Sequence, residues 1–225
     1  MSSNMQKRRL RILSKEEIKR IHENTVTALE DIGIFVLHEE GLSLLADAGA
    51  DVDLETQLAK IPSSLVEDCL NSAPKQFRMA GREPENDLQI DDSGEVYARN
   101  GGGPGHVLNM ETGKVKEATL NDVKNYAKLV DALENIHIVA PIYAQDTNNE
   151  TRDIETLAAL FASSSKHINM RLLNRKSLPY VIKMAEIVAG GKEALKDRPL
   201  ITMLESPIAP LKLPDVLIDT LMTCA

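Results

Sequence analysis

Ile136-His137-Ile138-Val139-Ala140-Pro141-Ile142-Tyr143-Ala144 is an apolar run, followed by the polar loop 145–151 and then by Ile154, Leu157, Ala158 and Phe161 at helical spacing. A short apolar run, a polar loop and an amphipathic helix make one strand–helix unit, whose helix carries the chain back so that the next strand can run parallel to the last. The same grammar recurs on both sides. Upstream, residues 96–99 read as a strand and 100–105 as a loop. Thr119 and Asp122 then cap a helix whose apolar face is Val123, Tyr126, Ala127, Val130 and Leu133. Downstream, 167–173 reads as a third strand, and Ser177 caps a helix carrying Leu178, Val181, Ile182, Ala185 and Val188 that stops at Gly190-Gly191. A fourth strand spans 200–204, followed by a loop with Pro207, Pro210 and Pro214 and a last helix opening at Asp215.

Strands near residues 96, 136, 167 and 200 recur at intervals of 40, 31 and 33 residues. That period fits a doubly wound sheet or a (β/α)8 TIM barrel. No G-x-G-x-x-G follows the first strand, which argues against a dinucleotide-binding fold. From residue 96 onward there are about 130 residues, roughly half of the ~250 a closed barrel needs. The apolar final helix, with Val216, Leu217, Ile218, Leu221 and Met222, halts at Ala225 without a closing Gly, Asn or Pro. The expected fold is therefore α/β, a TIM barrel present only as its first half in an apparently truncated chain. The alternative is a complete four-stranded α/β domain.

Residues 1–95 read as a separate small α+β region, giving domains 1–95 and 96–225. Ser14 and Glu17 form a capping box, Ile18, Ile21, Thr25, Leu29 and Ile32 share a helical face, and Gly33 ends the helix. His22 lies on that face and is expected to be a packed core histidine. Short helices follow at 39–48 and 62–71, with strands at 52–53, 58–61, 77–79 and 88–90.

Composition narrows the function. Among 225 residues, Asp+Glu 34 outnumber Lys+Arg 26, and the net charge of −8 repels nucleic acid. Hydrophobic residues are 43% and charged residues 27%, enough to build a core and too apolar for general disorder. Basic residues 7–11 are not followed by an apolar run, so no secretory signal is read there, and no stretch approaches the ~20 apolar residues of a membrane span. Cys69 and Cys224 give neither a disulfide framework nor a C-x-x-C site. A cytoplasmic protein is expected, and as a homo-oligomer.

In a barrel, function sits on the loops after the strands. Asn100-Gly101-Gly102-Gly103-Pro104-Gly105 permits close backbone approach to a ligand, though it lacks the Lys-Ser/Thr of a phosphate loop and equally suits a turn into the hairpin 107–116. Gln145 and Asp146 end the second strand, where a carboxylate could face a cation or simply cap a helix. Arg171 interrupts the third strand, and Glu205 ends the fourth; a salt bridge between them and recognition of a substrate carboxylate are both open. Tyr97 and Tyr143 are the aromatic residues on the strands. The five histidines show no metal-ligand spacing, no catalytic residue can be assigned, and no metal is expected.

Several stretches taken in order resemble the trimethylamine methyltransferase family, the corrinoid-dependent amine methyltransferases. They are Leu13-Ser14-x-x-Glu17, 28–34, His38-Glu39-Glu40, Ala48-Gly49-Ala50, Ala73-Pro74, Arg99-Asn100-Gly101, Glu111-Thr112-Gly113, 129–136 and Ser206-Pro207-x-x-Pro210-Leu211. The resemblance implies a (β/α)8 barrel that moves a methyl group from trimethylamine, or from a quaternary amine such as glycine betaine, to the cob(I)alamin of a separate corrinoid protein. It implies that this chain binds no cofactor itself, since it lacks the D-x-H-x-x-G of corrinoid carriers. It also implies that the position holding pyrrolysine in trimethylamine-specific members belongs to the barrel's second half. Residue chemistry alone leaves open a non-catalytic fragment, or another barrel enzyme acting on a small anionic metabolite.

Overall fold

In a computed structural model, which describes residues 12–224, strands Ile138–Val139, His167–Met170 and Ile201–Met203 lie side by side in chain order, all parallel. The register pairs Ile138 with His167, Val139 and Ile201 with Ile168, and Thr202 with Asn169. A parallel bridge from Arg99 to Ile138 adds a fourth position, again in chain order. Between the strands run helices Leu120–Ala132, Arg152–Ser163 and Leu178–Ala189. Successive strand side chains point to opposite faces, and the two faces differ. One carries Val139, Ile168 and Met170 into a core with Val123, Ala127, Leu157, Leu160 and Val181 from the helices. The other carries half-buried Asn169 and Thr202 and exposed Arg171 and Leu204.

Local chemistry explains the helix limits. Thr119 accepts the Asp122 N–H while the Asp122 carboxylate accepts from Thr119, the expected capping box. Lys166 closes the other end of that helix, its Nζ donating to the carbonyls of Val130, Leu133 and Ile136 at 2.8, 2.7 and 2.6 Å. Gly190 ends Leu178–Ala189 with φ +92, a conformation that L side chains resist.

By contact the chain divides into two compact units, Gln76–Leu204 and Met1–Lys75 with Glu205–Ala225. The antiparallel pair Phe77–Met79 and Leu88–Ile90 thus groups with the parallel sheet. Ala80 N–H donates to Pro199 O at 2.9 Å, Arg82 N–H to Ser165 O at 2.7 Å, and Arg198 bridges Asp87 at 2.7 Å. These ties form beside the starts of the third and fourth strands, a grouping that local pattern at residue 95 does not reveal.

The other unit is a sheet in the order Lys212–Leu213, Ile34–Val36, Leu58–Lys60, Asp51–Asp53. Val36, Leu42, Ala59, Leu217 and Ile218 form its core. Strand Lys212–Leu213, unforeseen within the Pro-rich loop, runs parallel to Ile34–Val36. His38 joins this unit's parts: Nδ1 accepts the Gly41 N–H at 3.0 Å and Nε2–H donates to Asp219 at 3.1 Å.

Four expectations need correction. Residues 96–99 form no strand beyond the single Arg99 bridge. The apolar run 136–144 is a strand only at Ile138–Val139, because Pro141 has no N–H for a ladder and the following backbone pairs with the glycine loop instead. Ser177 makes no capping bond: it already has helical φ and ψ, which turn its side chain away from the cap position, and it ends the 3-10 turn Arg175–Ser177. His22 is half-buried and not packed in a core: its side chain is 42% exposed and contacts Glu67 at 2.7 Å, on a helix, Lys15–Thr27, that buries no residue.

Candidate active site

The strand ends are tied to one another by side chains that stand in for missing ladder bonds. Asn100, 9% exposed, accepts the Ala140 N–H at 2.7 Å and donates to Ala140 O at 2.8 Å. Its amide thus mimics a paired backbone unit, extending the Arg99–Ile138 bridge by one step. The same Nδ2 reaches Gly101 O at 2.7 Å and Tyr126 Oη at 3.2 Å, and the Tyr126 hydroxyl donates to Gly101 O at 2.9 Å.

The glycine loop lies along residues 140–145. Gly103 N–H donates to Pro141 O at 2.8 Å, and Tyr143 N–H to Pro104 O at 3.0 Å. Gly102 is required by space, since a Cβ there would stand 2.7 Å from Ala140 Cβ and 3.0 Å from Pro141 O. A Cβ on Gly101 or Gly103 would meet nothing within 4 Å, so at those positions the loop faces open space. Gln145 rests against Gly105 and donates from Nε2 to Tyr143 O at 2.8 Å.

Tyr143 is buried, and its hydroxyl donates to Arg171 O and accepts the Arg171 N–H. Burial pushes the phenol up to about 12; the nearby Asp153 charge adds to this, and the Arg171 and Arg99 charges oppose it. The hydroxyl therefore fixes the end of the third strand. Tyr97 is half-buried, with its ring edge-on to His137 at 5.4 Å between centroids. Asp146 accepts the Leu120 N–H at 2.8 Å, so it serves the first turn of the helix preceding its own strand. Arg171 is exposed, and among the described residues its guanidinium makes no hydrogen bond or ion pair. Glu205 falls in the other compact unit, where it accepts the Thr220 hydroxyl at 3.3 Å.

The structure thus brings Asn100, Gly101, Gly102, Tyr143, Gln145 and Arg171 together at the ends of the strands. Three further residues there escaped sequence reading. Asp153, 1% exposed, accepts the N–H groups of Leu173 and Asn174 at 3.0 and 2.9 Å and so anchors the loop after the third strand. Burial raises its pKa, against the pull of those hydrogen bonds. Helical spacing marks Tyr126 only as a core position. Arg99 sits at the first strand position, exposed and without a partner among the described residues; the signal that singles out Arg171, a charge within a segment read as a strand, applies to it equally. On the same side of the sheet, fully buried His167 donates from Nδ1 to Ala80 O, and the Thr202 hydroxyl, itself accepting from Asn169, faces its Nε2 at 3.1 Å. Burial lowers the His167 pKa and keeps the ring neutral.

Residues 2–225 match the sequence profile of the family described as trimethylamine methyltransferase. The chain belongs to this family. It is 31% identical over 201 residues to the trimethylamine methyltransferase MttB of Desulfitobacterium hafniense (strain DSM 10664 / DCB-2), covering 89% of this chain and 40% of that protein. It is 30% identical over 216 residues to the glycine betaine methyltransferase of Desulfitobacterium hafniense (strain Y51), covering 95% and 44%. A trimethylamine methyltransferase MttB from Methanosarcina thermophila is 27% identical over 209 residues, covering 91% and 43%. This trimethylamine methyltransferase family chain thus spans less than half the length of these curated relatives. Among the described residues, no helix is long and apolar enough to cross a membrane.

Proposed function

We propose that the intact protein transfers a methyl group from a methylated amine, trimethylamine or a quaternary amine such as glycine betaine, to the cob(I)alamin of a separate corrinoid protein. The site is the mouth of a (β/α)8 barrel to which this chain contributes the first four strand positions. One observation carries the reading: four parallel positions follow in chain order, helices pack on one face, and the opposite face carries His167, Asn169 and Thr202 and becomes exposed at the strand ends, at Arg171 and Leu204. Parallel sheets are covered on both faces in nearly all known cases. A doubly wound sheet reverses strand order and puts helices on both sides, whereas a barrel keeps chain order and turns the helix-free face inward.

The chemistry asks little of acids and bases. A quaternary nitrogen, or trimethylamine bound as its protonated ammonium ion, keeps the C–N electron pair and leaves as a neutral amine, while the methyl group passes to the reduced cobalt, which supplies both electrons of the new bond. The protein orients the methyl group and keeps water out. In this chain Gly101 and Gly102 offer backbone at the mouth, Tyr97 an aromatic surface and Arg171 a cation for an anionic group. Asn100, Tyr143 and Gln145 hold the strand ends on which these stand, and Asp146 holds the first turn of the helix Leu120–Ala132.

The test is turnover by the intact protein with a reduced corrinoid carrier and a panel of trimethylamine, dimethylamine and glycine betaine. Loss of the Co(I) absorbance with matched appearance of the demethylated amine is expected for at least one donor. No loss with any of them, under conditions where a known family member turns over, refutes the reading.

A further inference from the structure

Resting on the proposed function, we infer that Arg99 and Arg171 form one anion-recognition site at the mouth of the sheet, and that the methyl donor carries a carboxylate. The two arginines stand at the ends of the first and third strand positions. Both are exposed, and neither makes a hydrogen bond or ion pair among the described residues. Both border residues 140–143, the segment that follows the second strand. The Arg171 backbone grips the Tyr143 hydroxyl through both its N–H and its carbonyl. Arg99 reaches over the second strand's end, its Nη2 lying 3.4 Å from where a Gly102 Cβ would stand beside Ala140 and Pro141. Both guanidinium charges act on the Tyr143 hydroxyl.

Two like charges facing one buried phenol repel each other and leave ten N–H donors with little to bond, counting five per guanidinium. The nearby carboxylates do not relieve them. Asp146 accepts from Leu120 N–H, and Asp153 is buried under Leu173 and Asn174. A planar carboxylate matches the guanidinium fork and can bridge two of them. A bare trimethylammonium at the same spot would be repelled by both. Open space above Gly101 and Gly103 leaves room for the substrate alongside the pair.

The experiment uses the intact protein and the variants Arg99→Ala, Arg171→Ala, the double variant and Arg99→Lys. The first readout is the ratio of kcat/KM for glycine betaine to that for trimethylamine. The second is calorimetric binding of N,N-dimethylglycine, which carries the carboxylate but is not a quaternary donor. Each alanine variant should lower the ratio and weaken dimethylglycine by about 10- to 100-fold, the range of a lost charge-assisted hydrogen bond. The double variant should lose less than the sum of the two, because both side chains meet one anion. Arg99→Lys, keeping charge without the fork, should fall between. Dimethylglycine binding that is unchanged in both alanine variants overturns the inference even if a methylated amine is turned over. Binding lost in both variants, with no methylated amine accepted as donor, upholds the anion site and instead rejects the proposed reaction.

Discussion

Replacing Asn100 with alanine removes the side chain that joins the first and second strand positions. In the folded protein Ala140 is fully buried, its N–H donates to Asn100 Oδ1 at 2.7 Å, and its carbonyl accepts from Nδ2 at 2.8 Å. Asn100→Ala leaves both backbone groups without a partner in a place that water reaches poorly. Each orphaned buried group costs about 1–3 kcal/mol, and partial hydration of the new space offsets some of that, so the loss should be about 3 kcal/mol. For a chain of this length that corresponds to a fall in Tm of about 6–12 °C. Guanidinium unfolding followed by circular dichroism measures it, with the change read in the midpoint at constant slope. Asn100→Asp sharpens the test. It keeps the acceptor for the Ala140 N–H but turns a carboxylate oxygen toward the oxygens of Ala140, Gly101 and Tyr126. The native state therefore favours the protonated acid, so this variant should be the less stable of the two at neutral pH and should recover as pH falls. A loss below about 0.5 kcal/mol for Asn100→Ala, the range of an ordinary surface change, would refute the clamp.

Three more outcomes follow from named contacts. Burial raises the Asp153 pKa, so the native state binds its proton more readily than the unfolded chain; unfolding free energy should decline as pH rises through that window. Asp153→Asn should remove this decline in urea titrations between pH 3 and 7, and an unchanged pH profile would count against it. Lys166→Met strips a charged donor from three carbonyls at the end of Leu120–Ala132, and a loss of about 2–4 kcal/mol in chemical denaturation is expected. Gly102→Ala should cost about 1–3 kcal/mol by crowding Ala140 and Pro141, whereas Gly101→Ala, with open space at its Cβ, should change stability little; equal effects would dismiss the packing argument.

The order of elements was legible because periodicity and capping are local. Thr119 with Asp122, Ser14 with Glu17 and Gly190 each announce a helix end, and each does so in the structure. Strand lengths were not legible. The run 136–144 is apolar throughout, and nothing local says that its pairing beyond Ala140 passes to a neighbouring loop through Asn100, Gly103 and Pro104. His22 shows the opposite failure: its place on an apolar helical face predicts burial, yet the face itself is exposed, with Ile18 and Ile21 each 55% exposed. The grouping of 77–90 with the parallel sheet rests on Arg198–Asp87 and Ala80–Pro199, contacts more than a hundred residues apart in sequence. At the site, Gly101, Gly102 and Arg171 were picked out by residue type and placement. Tyr126 and Asp153 were missed because one resembles core and the other a helix first turn.

Hydrogen-bond status separates the frame of this site from its working groups. Asn100, Tyr126, Tyr143, Gln145, Asp146 and Asp153 are the residues whose polar atoms sequence chemistry would most readily give to a ligand, yet each is bonded to backbone, Gln145 to its own segment and the others to another. A group so engaged must first break a bond worth about 1 kcal/mol or more before it can meet a substrate, and breaking it would loosen the strand end it secures. Arg99 and Arg171 are under no such constraint. Their backbones are pinned, Arg99 by the bridge to Ile138 and Arg171 by the Tyr143 hydroxyl, while their guanidinium groups are free of partners among the described residues. Fixed backbones and unengaged charged ends are what a selective binding site requires, because the side chains then pay little to reorganise around an anion. The same reasoning predicts that Tyr143→Phe should weaken carboxylate binding without touching the ligand, by releasing the Arg171 backbone, and that this loss should vanish in an Arg171→Ala background. A Tyr143→Phe effect that persisted in that background would place the phenol itself against the ligand and undo the division between frame and site.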